Sequence, residues 1–127
     1  MLSNNVSHRQ KVKQKKMAKL MRKAQEWAEW HGTWLENSLN EYFDTFSVKQ
    51  IKRKALVHML EDDATMDEIS YLFFFETFRD WLKIKAKPEM YDNPDAVPTP
   101  ATIDTMFELE IPIVGEMYET FCEHYGI

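Results

Sequence analysis

The stretch Thr65-Met-Asp-Glu-Ile-Ser-Tyr-Leu-Phe-Phe-Phe-Glu-Thr-Phe-Arg-Asp-Trp-Leu-Lys-Ile-Lys85 decides the fold. Tyr71, Phe74, Phe75, Phe78, Trp81 and Leu82 recur at the three- and four-residue spacing of one helical face. Ile69, Leu72 and Phe73 extend that face round the cylinder, and only Glu76, Arg79, Asp80 and Lys83 form a polar wedge. A helix apolar over most of its circumference sits at the centre of a fold or under a partner. Thr65 and Glu68 form a capping box at its start: the hydroxyl serves an orphan amide and the carboxylate reaches back. Ile-Ser-Tyr-Leu-Phe-Phe-Phe also has high strand propensity, the competing reading of this segment.

Upstream, further boxes stand at Ser7…Gln10, Thr33…Glu36 and Ser47…Gln50, each opening a run with helical apolar spacing. A first helix is expected from His8 to His31, carrying Met17, Leu20, Met21, Ala24, Trp27 and Ala28. Gly32 is expected to end it. Thr33 then opens a second helix with Trp34, Leu35, Leu39, Tyr42, Phe43 and Phe46; because the stripe nearly keeps phase across Gly32, one long kinked helix is the alternative. Ser47 opens another, with Val48, Ile51, Ala55, Leu56 and Met59, which Glu61-Asp62-Asp63 breaks.

Downstream, residues 86–99 contain Pro88, Pro94 and Pro98 and read as a loop. Thr99-Pro100 reads as a cap with proline in the first helical position. Phe107 to Ile113 alternates apolar and polar, so a short edge strand is expected there as an alternative to helix, with Pro112 barring a central one. A last helix runs from about Ile113 to Tyr125. The sum is an all-α chain: a compact bundle of about five to six helices, with a Pro-rich loop near 86–99 and the short strand near 107–113. Residues 1–127 are expected to form a single helical domain, with 1–7 disordered and 8–25 a projecting basic helix. Three glycines in 127 residues are too few for a sandwich or barrel of many tight turns.

The same residues exclude several chemistries. Three isolated glycines cannot build a P-loop or a dinucleotide fingerprint. No nucleophile elbow or triad signature is present. One cysteine, Cys122, permits no internal disulfide, fits a reducing compartment and cannot anchor a structural zinc. None of His8, His31, His58 or His124 has a glutamate three residues before it, so the di-iron helical motif is absent. The basic N-terminus lacks the apolar core of a secretory signal, and Leu72 to Phe75 is far too short to span a bilayer. No cofactor, metal or catalytic residue is therefore expected, and the cytoplasm is the expected location.

Charge supplies the positive clue. Residues 1–25 hold eight Lys or Arg and no acid, whereas 86–127 hold Lys87 against nine acids. Arg9, Lys11, Lys13, Lys15, Lys16, Lys19, Arg22 and Lys23 leave only the Met17/Leu20/Met21/Ala24 stripe free of cations. So dense a helix repels itself unless something negative lies alongside: phosphates, an acidic membrane surface, or an acidic protein face, the chain's own C-terminal half included. Trp27 and Trp30 follow directly and offer stacking surfaces. The expectation is a non-enzymatic binding protein, an adaptor, assembly factor or inhibitor working through a protein interface. Nucleic-acid binding, with residues 9–23 as a phosphate clamp, is the alternative, and a homo-oligomer is a further option.

Overall fold

The computed structural model describes residues 2–127, with side chains from His8 onward. The fold is all-α. Helix α1 spans Leu2–Thr45, α2 Val48–Asp62 and α3 Met66–Phe74; a π-helical turn, Phe75–Arg79, carries α3 into α4, Asp80–Lys85. Short 3₁₀ turns at Pro88–Met90 and Pro94–Ala96 punctuate the proline-rich connection to α5, Pro100–Glu108, and α6, Pro112–Tyr125, closes the chain. With α3, the π turn and α4 taken as one rod, the bundle has five helices.

Caps read from sequence fix several boundaries. The Gln50 amide donates to Ser47 Oγ at 3.2 Å, and the Ser47 amide donates to Gln50 Oε1 at 2.8 Å. The Thr65 amide donates to Glu68 Oε2 at 3.0 Å, and the Thr102 amide to Thr99 Oγ1 at 3.1 Å. Ser47→Ala is expected to cost about 1 kcal/mol in denaturant unfolding, the usual value of a lost N-cap. Helix α2 ends at Asp63, which takes the left-handed conformation at φ 48°.

Two boundaries differ from the sequence reading. Gly32 does not end a helix: α1 runs through it, and the Thr33…Glu36 box opens nothing. The apolar stripe keeps phase there, so the helix continues, and a Cβ on Gly32 would make only an ordinary contact with Ile113 Cδ1 at 3.9 Å. The Ser7…Gln10 box and the expected disorder of 1–7 involve side chains outside the described residues. The strand expected near 107–113 is also absent. Helix α5 continues to Glu108, Glu110 turns the chain at φ 50°, and Pro112 opens α6. Pro112 cannot donate to a ladder but suits a first helical position. The alternation at Phe107, Leu109 and Ile111 instead belongs to a tight α–α turn. Its ends Phe107 and Ile111 are both fully buried. The strand alternative at 69–75 is likewise helical.

The core is aromatic. Phe74 lies at its centre, with its ring centroid 5.2 Å from Phe121, 5.3 Å from Tyr118, 5.5 Å from Phe78 and 5.7 Å from Phe107. The π turn inserts one residue's worth of rotation between Phe74 and Leu82, and Phe74, Phe78 and Leu82 are all completely buried. Thr77 Oγ1 donates back to the Phe73 carbonyl at 2.8 Å beside it. Helices α5 and α6 pack on α1, α2 packs on α3 and α6, and α4 packs on α5. Tyr125 Oη donates to the Phe46 carbonyl at 2.9 Å, tying the last helix to the end of the first.

Candidate docking surface

The body covers only part of α1. Its first buried residue is Ala24, and every residue from His8 to Lys23 is exposed. At 1.5 Å per residue that bare stretch is about 24 Å long. All eight expected cations lie on it: Arg9, Lys11, Lys13, Lys15, Lys16, Lys19, Arg22 and Lys23. None of them is in an ion pair among the described residues. The cations do not converge on a point. They cover the helix on every side but that of the Met17/Met21 stripe, so the arrangement suits an extended negative surface and not a compact anion.

One strip of that helix is apolar. Met17, Met21, Ala24, Ala28, His31, Leu35, Ser38 and Tyr42 alternate at four and three residues, a continuous seam along α1. From Ala24 onward the body covers the seam. At its N-terminal end Met17 is 50% exposed and Met21 37%, with Leu20 beside them.

Trp27 and Trp30 stand where α1 leaves the body. Lys23 Nζ lies 5.5 Å from the Trp27 ring centroid, a cation–π contact that the exposed setting keeps weak. Trp30 is 65% exposed. Both line a cleft of 640 Å³ closed on the far side by Pro88, Pro94 and Val97 of the proline-rich connection. His31 lines the same cleft; it is buried, and its Nδ1 has no hydrogen-bond partner among the described residues. Sequence reading placed the tryptophans but not this cleft, because the loop that closes it is more than fifty residues away in the chain.

Comparison with protein-family models, with curated proteins and with solved structures finds no match. No relative lends its chemistry to this surface, which is read from its own geometry.

A second cluster has the residue types of a catalytic dyad. Lys85 Nζ donates to Ser38 Oγ at 3.1 Å, pairs with the Glu41 carboxylate, and lies 5.4 and 5.2 Å from the ring centroids of Trp34 and Trp81. A Ser–Lys nucleophile needs its hydroxyl open to a substrate, and here Ser38 is fully buried. The cluster ties α1 to α4 instead. Lys85→Ala leaves buried Ser38 without its partner and is expected to cost about 1–3 kcal/mol by denaturant unfolding. No spacing in the sequence joins Ser38, Glu41 and Lys85; only the fold does.

Burial raises several of the weakly acidic side chains packed in or on the core. Burial pushes the Cys122 thiol up, so it is a poor thiolate, in keeping with a packing role on α6. Burial also raises Tyr118, whose Oη shares a 2.6 Å hydrogen bond with Ser70 Oγ. Tyr71 is pushed up to about 12, chiefly by burial and then by the charge of Glu110. An acid whose folded pKa is raised favours the fold while protonated. Its contribution is therefore full below pH 10 and lost as pH climbs towards 12. Alkaline titration of tyrosine absorbance is expected to show a delayed step shared by the buried tyrosines, and Tyr71→Phe to lower its amplitude by one tyrosine. His58 sits 3.6 Å from Glu76, and the His124 ring stacks on Phe43 at 3.8 Å. Among the described residues no three His, Cys, Asp or Glu are grouped to hold a metal, and no helix is long and apolar enough to cross a membrane.

Proposed function

We propose that the protein is a non-enzymatic binding protein, an adaptor, assembly factor or inhibitor, that docks an acidic protein surface with residues 8–23 of α1. The observation that carries this reading is the pairing of charge with an open apolar seam. Eight cations call for a negative partner, but phosphates alone leave Met17, Leu20 and Met21 in water. A protein face with carboxylates round an apolar strip satisfies both. Burying such side chains contributes on the order of 1.5–3 kcal/mol each when complete, whereas exposed ion pairs contribute about 0–1 kcal/mol each. The seam therefore supplies affinity, and the cations supply steering and register.

The test is capture from nuclease-treated host lysate with the full chain and with a Met17→Ser/Leu20→Ser/Met21→Ser variant, which keeps every cation. The protein reading expects specific capture by the full chain and its loss in the variant. Equal capture by both contradicts it.

A phosphate clamp is the second reading, favoured by the broad cationic face of the helix and by exposed Trp30. It expects duplex DNA affinity to fall with log salt at a slope of about −0.9 per phosphate neutralised. It also expects the methionine-stripe variant to bind as tightly as the parent.

A further inference from the structure

The charge of α1 reverses along its length. Residues 9–23 carry eight cations, and 24–45 carry Glu26, Glu29, Glu36, Glu41 and Asp44 with no Lys or Arg. One register of this helix is especially ordered. Lys15, Arg22, Glu29 and Glu36 follow at intervals of seven residues, two helical turns, and so share a face. All four are exposed, and none is in an ion pair among the described residues.

An antiparallel copy of the helix, with its two-fold axis between Gln25 and Glu26, places Lys15 opposite Glu36 and Arg22 opposite Glu29, each pair twice. The same axis lays the bare residues 8–23 along residues 28–43, the acidic half. That half offers a place for them. Glu29 borders a 310 Å³ groove between α1 and α6 floored by Ala28, Ile111 and Ile113, and Glu36 borders its 290 Å³ continuation over Leu39 and Met117. Both grooves share Ile113 and the carboxylate of Glu116. An apolar floor with an acidic rim is the complement of Met17 and Met21 flanked by lysines and arginine.

We propose that a second copy of this chain occupies this groove: the protein self-associates as a two-fold antiparallel pair, each basic α1 arm lying in the acid-rimmed α1/α6 groove of the other. A symmetric contact of this kind buries both arms and leaves no open end for further addition. The inference deepens the docking reading by naming an occupant of the same arm, so an external acidic partner must displace the second copy.

The test is sedimentation equilibrium of the full chain at low and high salt. It is joined by a Lys15→Glu/Arg22→Glu variant, a Glu29→Lys/Glu36→Lys variant and their equimolar mixture, with circular dichroism confirming that each is folded. All four positions are exposed on a helix, so folding is expected to survive. The parent is expected at twice 15.2 kDa in low salt, shifting to the single-chain mass as salt rises. Each variant alone is expected as a single chain, because like charges then face one another, and the mixture is expected to regain the double mass. A parent that stays single in low salt, variants that pair as well as the parent, or a mixture that stays single overturns the proposal. A single-chain parent that still captures an acidic host protein removes only the self-pairing. A dimer that captures nothing removes only the external docking.

Discussion

Phe74→Ala is expected to destabilise the protein by about 3–5 kcal/mol, measured by urea or guanidinium unfolding, the usual range for truncating a buried phenylalanine. The ring is fully buried, and the four rings nearest to it come from the π turn, α5 and α6. Truncation opens a cavity where these elements meet, so no single element can shift to fill it. Domains of this size are stable by only about 5–15 kcal/mol in total. The variant is therefore expected near the edge of folding at ordinary temperature. Leu72→Ala, two residues away on the opposite side of the same helix and 52% exposed, is the control and is expected to stay within about 0.5 kcal/mol of the parent.

Deleting residues 2–23 is expected to do the reverse, abolishing partner capture while leaving the unfolding free energy of the body nearly unchanged. No residue from His8 to Lys23 is buried, and none ties α1 to another helix by an ion pair or a side-chain hydrogen bond among those described. The cut precedes Ala24, whose burial begins the covered part of α1. At high salt, where a self-associated pair has separated, removing an exposed helical arm is expected to remove helical signal in circular dichroism in proportion to its length, with the unfolding midpoint of the remainder held. A midpoint that falls steeply under those conditions shows that the arm packs on its own body after all.

Periodicity carried much of this fold because it survives at short range. The stripe through Tyr71, Phe78 and Leu82, the Ser47 and Thr65 caps and the Thr99-Pro100 start are all local patterns. Gly32 and residues 107–113 misled because packing outweighed the local signal. The seam of α1 stays in phase through Gly32, with Leu35 and Ser38 buried beyond it, so the helix continues past the glycine. Alternation signals a strand only when one face is buried over several residues, and here Glu110 turns the chain after Phe107 so that Ile111 re-enters the same core. The cations of the arm were visible as composition, and the bare helix explains why none of them is in an ion pair among the described residues. The cleft at Trp30 and the Lys85 tie joined residues too far apart in sequence for any spacing to reveal.

The central claim is that residues 8–23 are the working end of a molecule whose remainder folds without them. It is tested most directly by affinity capture from native host lysate, with and without nuclease, comparing the full chain with the chain lacking residues 2–23. A specific acidic protein is expected to be captured, to survive nuclease treatment and to disappear on truncation. Capture that persists undiminished after truncation contradicts it, placing the interface on the aromatic body.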